Sequence, residues 1–262
     1  MRRIFELYDL YINLDIFIWV LLRITAFLLA CPLFGRKEIP SVTKIGLSIF
    51  LAYILIISGR VSVLRYPASL AEFTLVCLNE TLRGMLMGFA SSIIFSVLAN
   101  AGRLIDTAIG FQMAEVYDPV YGAKTSVSAN LLNVAAFLVF LSVNGHLHMI
   151  KILSDSYSAS PIGTGFNASV LYDIVVSAFS FSFLISLKLV LPVIIIILLS
   201  EAVMGMILKF IPQMNIFIIG MPLKVLIGLF ALFYLITPLT MTFDNIFDSV
   251  YEYARRISLT GV

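Results

Sequence analysis

The sequence predicts an all-α, polytopic integral membrane protein built of helical hairpins. Over 262 residues the chain is 61% hydrophobic and only 12% charged. Its mean hydropathy is +1.05, far outside the range of soluble domains. The apolar residues gather into about six runs. In hydrocarbon each backbone donor and acceptor must be satisfied inside the segment, so these runs are expected to be helices. A net charge of +2, from scattered basic residues, excludes an extended nucleic-acid surface. Cys31 and Cys77 sit in apolar surroundings at unrelated spacing, and read as small buried hydrophobes rather than a disulfide or metal pair.

The first run, 16–34, follows Arg2, Arg3, Glu6, Asp9 and Asp15 and is broken only by Arg23. A cleavable signal needs an undivided apolar core and small residues before the cut; Arg23 divides this one and Pro32 follows the only suitable site. Leu28-Leu29-Ala30-Cys31 mimics a lipoprotein cleavage box, but the apolar core before it is too short. A polar turn at 35–44 leads to the run 45–58, which is short against the roughly 20 residues a span requires.

Beyond Arg60, Arg65 and Pro67 a helix is expected over about 70–100. It carries Glu72, Glu80 and Arg83 on or near one face, and Glu80 and Arg83 have a spacing at which two side chains meet. Ionisable groups inside a membrane helix are costly and face protein or water. Thr81, Gly84, Gly88 and Ser91 or Ser92 add a small-residue stripe, and the Gly84 to Gly88 spacing lets another helix approach closely, within the chain or from another subunit.

The central segment 110–119 reads Gly-Phe-Gln-Met-Ala-Glu-Val-Tyr-Asp-Pro, bracketed by Arg103, Asp106 and Lys124. Non-helical chain at membrane depth survives only buried in protein or lining a watery path, which makes this segment a candidate plug. An ordinary loop outside the membrane is the alternative.

The run 127–143 closes on Asn144-Gly145-His146-Leu147-His148. The two histidines face opposite sides of a helix and cannot by themselves complete a zinc site. The stretch 154–167, rich in Ser, Gly and Pro, reads as a solvated connection. The last third is a long apolar hairpin with arms 170–210 and 216–238 and a turn around Pro212 and Gln213. Lys188, Pro192 and Glu201 lie in the first arm; Pro222 and Lys224 lie in the second. Lys188 and Glu201 are roughly 20 Å apart along one helix, too far to pair with each other. The amphipathic tail 242–262 ends with Arg255 and Arg256. A division into 1–169, with a central loop at 103–126, and 170–262 follows. Under alternating sides the lysines and arginines do not separate, so orientation is undetermined, as expected of runs that are not simple lipid-bathed spans.

Gly110-Phe-Gln-Met with Tyr117-Asp-Pro119, Val143-Asn-Gly-His146, Pro161-Ile-Gly163, and Pro212-Gln-Met-Asn-Ile-Phe-Ile-Ile-Gly220-Met-Pro222-Leu-Lys224 occur in this order, and together they resemble the FliR/SpaR export-apparatus family. Gly220 and Asn144-Gly145-His146 look more like its flagellar branch than its virulence-secretion branch. The stretch from Leu187-Lys188 through Leu191-Pro192 to the hairpin turn is similar to the hairpin subunit FliQ.

The resemblance implies a non-enzymatic subunit without a cofactor. With FliP and FliQ, and alongside FlhB and FlhA, it would close a helical ring in the bacterial inner membrane at the flagellar basal body, passing unfolded flagellar proteins. It also implies that the central loop plugs the pore. Phe111, Gln112 and Met113 fall on the motif with Gly110, while Glu115, Val116 and Tyr117 lie in its variable part. The charges Glu80, Arg83, Lys188, Glu201 and Lys224 would then serve assembly, and Gly84 and Gly88 helix packing.

Two other readings compete. Charges inside apolar helices and proline-broken segments suit an ion-coupled secondary transporter, but no internal repeat accompanies them. An intramembrane enzyme would have to use His146 or His148 with Asp118 or Glu115, without any zinc-protease, serine-nucleophile or paired-aspartate motif.

Overall fold

The computed structural model describes residues 2–36, 38–111, 126–165, 168–211 and 216–259. Among these the chain forms helices α1 (Arg2–Ala30), α2 (Ser41–Ile57), α3 (Leu70–Ile109), α4 (Val127–Ser142), α5 (Gly145–Ala159), α6 (Ala168–Phe210) and α7 (Ile216–Leu259). The only β pairing among the described residues is an isolated parallel bridge between Val63 and Ile162. The fold is thus all-α. Among the described residues Leu171–Phe210 alone is long and apolar enough to cross a membrane, and two further spans arise if Leu70–Ile93 with Phe95–Ile109, and Val127–Ser142 with Gly145–Ala159, each count as one. Ser41–Ile57 and Gly220–Tyr234 are shorter apolar helices.

The chain divides into two compact units: Met1–Ile93 with Asn144–Ala178 and Asp248–Val262, and Ile94–Val143 with Phe179–Phe247. The first has a core of Trp19, Val20, Ile24, Phe27, Met87, Met149 and Tyr157, all almost wholly buried. Trp19 stacks obliquely on Phe73, with ring centres 5.6 Å apart. Here α1 and α3 meet at the glycines: a Cβ on Gly84 would strike the Arg23 carbonyl, and one on Gly88 would lie 2.5 Å from Ala30 Cβ and 2.7 Å from the Phe27 carbonyl oxygen. The close approach that the stripe permits is therefore made inside this chain.

The second unit is centred on Val97, Leu98, Ile105, Leu132, Phe140, Val193 and Ile197. Phe95 and Phe140 stack 5.6 Å apart. Gly102 admits α4 so closely that an added Cβ would run into the backbone of Ala129. Burying each large apolar side chain contributes about 1.5 to 3 kcal/mol.

Three boundaries differ from the sequence reading. α3 continues through Arg103 and Asp106 to Ile109, so the connection to α4 is shorter than 103–126. α7 runs unbroken through Pro222 and Pro238 into the tail. Of the stretch 154–167, the described part, 154–165, is not a solvated connection: α5 reaches Ala159, and Ser156, Ser160, Ile162 and Thr164 are buried. Serines fit inside this helix because their hydroxyls bond back to it, Ser156 to the Leu153 carbonyl and Ser158 to the Asp155 carbonyl at 2.7 Å each.

Candidate functional site

In the first unit three charged side chains are buried together. Arg23, Glu80 and Arg83 are at most 1% exposed. The i,i+3 spacing favours a Glu80–Arg83 pair, but the hydrogen-bonded partner of Glu80 is Arg23 from α1, whose Nε donates to Glu80 Oε2 at 2.5 Å. Arg23 also donates to the Ser156 carbonyl and hydroxyl, each at 3.3 Å, and to the Ser160 carbonyl at 3.1 Å. Its guanidinium lies 4.2 Å from the ring centre of Tyr157, a cation–π contact. The Tyr157 hydroxyl donates to the Val20 carbonyl at 3.1 Å, returning the link to α1.

Arg83 extends the same network to the turn after α5. It donates to the Ser160 hydroxyl, and at 2.9 Å each to the carbonyls of Thr164 and Gly165. Two guanidinium groups face one carboxylate, and the residual positive charge is met by carbonyls at and beyond the α5 C-terminus, the negative end of a helix. Gly163 turns at φ +90°, where an added Cβ would lie 3.0 Å from the Arg65 carbonyl oxygen, while the Leu64 amide donates to the Ile162 carbonyl and the Ile162 amide to the Ser62 carbonyl, each at 2.9 Å. The cluster thus fastens α1, α3, α5 and the turn following α5 to one another.

The second unit holds the base of the central loop. Asp106, 3% exposed, accepts from the Ser126 hydroxyl at 2.5 Å and from the Ser128 amide at 3.2 Å. Ser126 caps α4 by accepting from the Ala129 amide at 3.1 Å. On the other side, the Asp106 carbonyl accepts from the amides of Gly110 and Phe111 at 3.0 Å each, with Gly110 at φ +91° ending the helix. One residue therefore holds the last described residues before 112–125 and the first after it. Of the plug candidates Gly110 and Phe111 are placed here; Gln112, Met113, Glu115, Val116 and Tyr117 lie outside the described residues.

In the hairpin Lys224 pairs with Glu201, joining α6 to α7. Lys188 is exposed and bonds nothing among the described residues. The sequence reading passed over Arg23 and Asp106 as site residues. A lone arginine breaking an apolar run was the available signal for the first; for the second it was an aspartate shortly before a Gly-terminated helix, with serines at the next helix start.

Comparison with known proteins follows the same outline. The model of a family described as bacterial export proteins, family 1, matches residues 14–250. "Flagellar biosynthetic protein FliR" of Pectobacterium carotovorum subsp. carotovorum is 28% identical over 236 residues, covering 90% of each chain. The protein of the same name from Bacillus subtilis is 28% identical over 253 residues, 94% of this chain and 96% of the other. "Yop proteins translocation protein T" of Yersinia pestis is 32% identical over 156 residues, 58% of this chain and 60% of the other.

Proposed function

Since the chain belongs to the bacterial export proteins, family 1, we propose that it is a membrane-embedded subunit of the flagellar type III export apparatus, through which unfolded flagellar proteins leave the cytoplasm. The observation that carries this reading is near end-to-end similarity to proteins named for flagellar biosynthesis, over 90% or more of both chains. The export gate needs no catalytic group. Its partners are FliP and FliQ, with FlhB and FlhA adjoining, in the inner membrane at the flagellar basal body.

The central loop serves as the seal of the pore, for which Phe111, Met113 and Val116 provide soft apolar packing without a fixed partner. Asp106 supports that role by holding the loop's base. The apolar surface left open on α2, α6 and α7 suits contact with further subunits. A virulence-secretion role is the second reading, favoured by the similarity to the Yersinia translocation protein over its shorter span.

The test is deletion of the chain in a flagellated host, followed by purification of the tagged chain from detergent-extracted membranes and mass determination of the complex. Loss of filaments, their restoration by the wild-type chain, and a mass larger than one chain with FliP and FliQ present are expected. Intact motility after deletion, or a chain that purifies alone, would overturn the proposal.

A further inference from the structure

The first arm of the hairpin has two seams on opposite faces. Ser186, Val190, Val193 and Ile197 are buried within the second unit. On the other side Leu184, Lys188, Leu191, Ile195, Leu198 and Ala202 are all exposed. Phe183, Pro192, Ile196, Leu199 and Val203 are exposed as well, so this side of the helix is a broad, open apolar face.

Two features place polar demand in the middle of this outer seam. Lys188 is the only charged residue between Asp173 and Glu201. Either end of that uncharged stretch is roughly 20 Å along the helix, beyond the half-thickness of about 15 Å of a bilayer core and beyond the reach of a lysine stem. Its ammonium has no partner among the described residues. Pro192, four residues later, has no N–H, so it cannot close the helical bond to the Lys188 carbonyl. Hydrocarbon offers no acceptor for the ammonium and no donor for the carbonyl.

We infer that the outer face of α6 around Lys188 is the docking seam for an apolar helix of another subunit that carries a carboxylate opposite Lys188. Charge complementarity selects this occupant. A lipid phosphate at the membrane surface cannot reach the centre of the arm, and a wholly apolar helix would leave the lysine unpaired at depth. The inference rests on the assembly reading above and adds the chemistry of the partner.

The test uses the full chain, in its flagellated host with its native partners. Lys188→Arg should retain the complex and motility. Lys188→Met should lower recovery of the complex by about tenfold, and Lys188→Glu by more. Motile revertants of Lys188→Glu should replace an acidic residue in a membrane helix of a partner subunit with a neutral or basic one. A photo-crosslinking residue in place of Leu198 should attach to that same helix. Wild-type recovery of the Lys188→Glu complex, revertants confined to this chain, or crosslinks to phospholipid alone would each overturn the inference. If the wild-type chain also purifies without partners, the assembly reading falls too; if only the Lys188 expectations fail, that reading stands.

Discussion

Arg23 shows how a buried charge is made tolerable. Its guanidinium is wholly buried, yet it meets a carboxylate, two carbonyls, a hydroxyl and an aromatic face. Desolvating ions is expensive, and a buried pair is therefore weak evidence of net stabilisation; removing one member strands the other and costs about 3 to 5 kcal/mol. Arg23→Met and Glu80→Met are each expected to destabilise by about that amount. The double substitution should cost clearly less than the sum, because neither charge then remains unpaired. Thermal unfolding of the detergent-solubilised chain measures all three. Additive losses would mean the two side chains do not depend on each other.

At the level of elements, glycines decide which helices touch. Gly84 and Gly88 let the α1 backbone lie directly on α3, whereas Gly46 on α2 has nothing within 4 Å of an added Cβ. Even alanine at Gly84 meets a carbonyl rather than a movable side chain. Gly84→Ala should therefore separate the two helices and cost about 1 to 3 kcal/mol, the usual penalty for overpacking. Gly46→Ala should be neutral or stabilise by about 0.5 to 1 kcal/mol, since it removes only the glycine's freedom in the unfolded chain. Comparing the unfolding temperatures of the two variants checks the contrast. Asp106 acts at the same scale, because its backbone carbonyl holds the end of α3 and its carboxylate the start of α4.

For the whole molecule, the proposed seal makes a prediction about leakage rather than stability. Replacing Phe111, Met113 and Val116 together with Gly or Ser removes large apolar groups, each worth roughly 2 to 5 kcal/mol where buried. A closed state favoured by only a few kcal/mol would then open measurably. Cells overproducing the assembled complex should show increased small-solute entry or conductance, with export retained or less tightly controlled. An assembled, export-competent variant as tight as wild type would remove the seal from this loop.

Much of this protein is legible in its sequence because membrane helices announce themselves locally. Composition alone demanded helices, and the hairpin arms and the small-residue stripe followed from runs and spacings that any stretch of chain carries by itself. The serines between 154 and 160 misled for the same reason: local polarity suggests solvent, whereas their hydroxyls and carbonyls serve arginines from other helices. Spacing along one helix names the residues that can be neighbours there, and it pointed from Glu80 to Arg83. The acceptor that Arg23 needed lay 57 positions away. Only the tertiary structure could decide that pairing, because a buried charge is stabilised by whichever group the packing of several helices brings within hydrogen-bond reach.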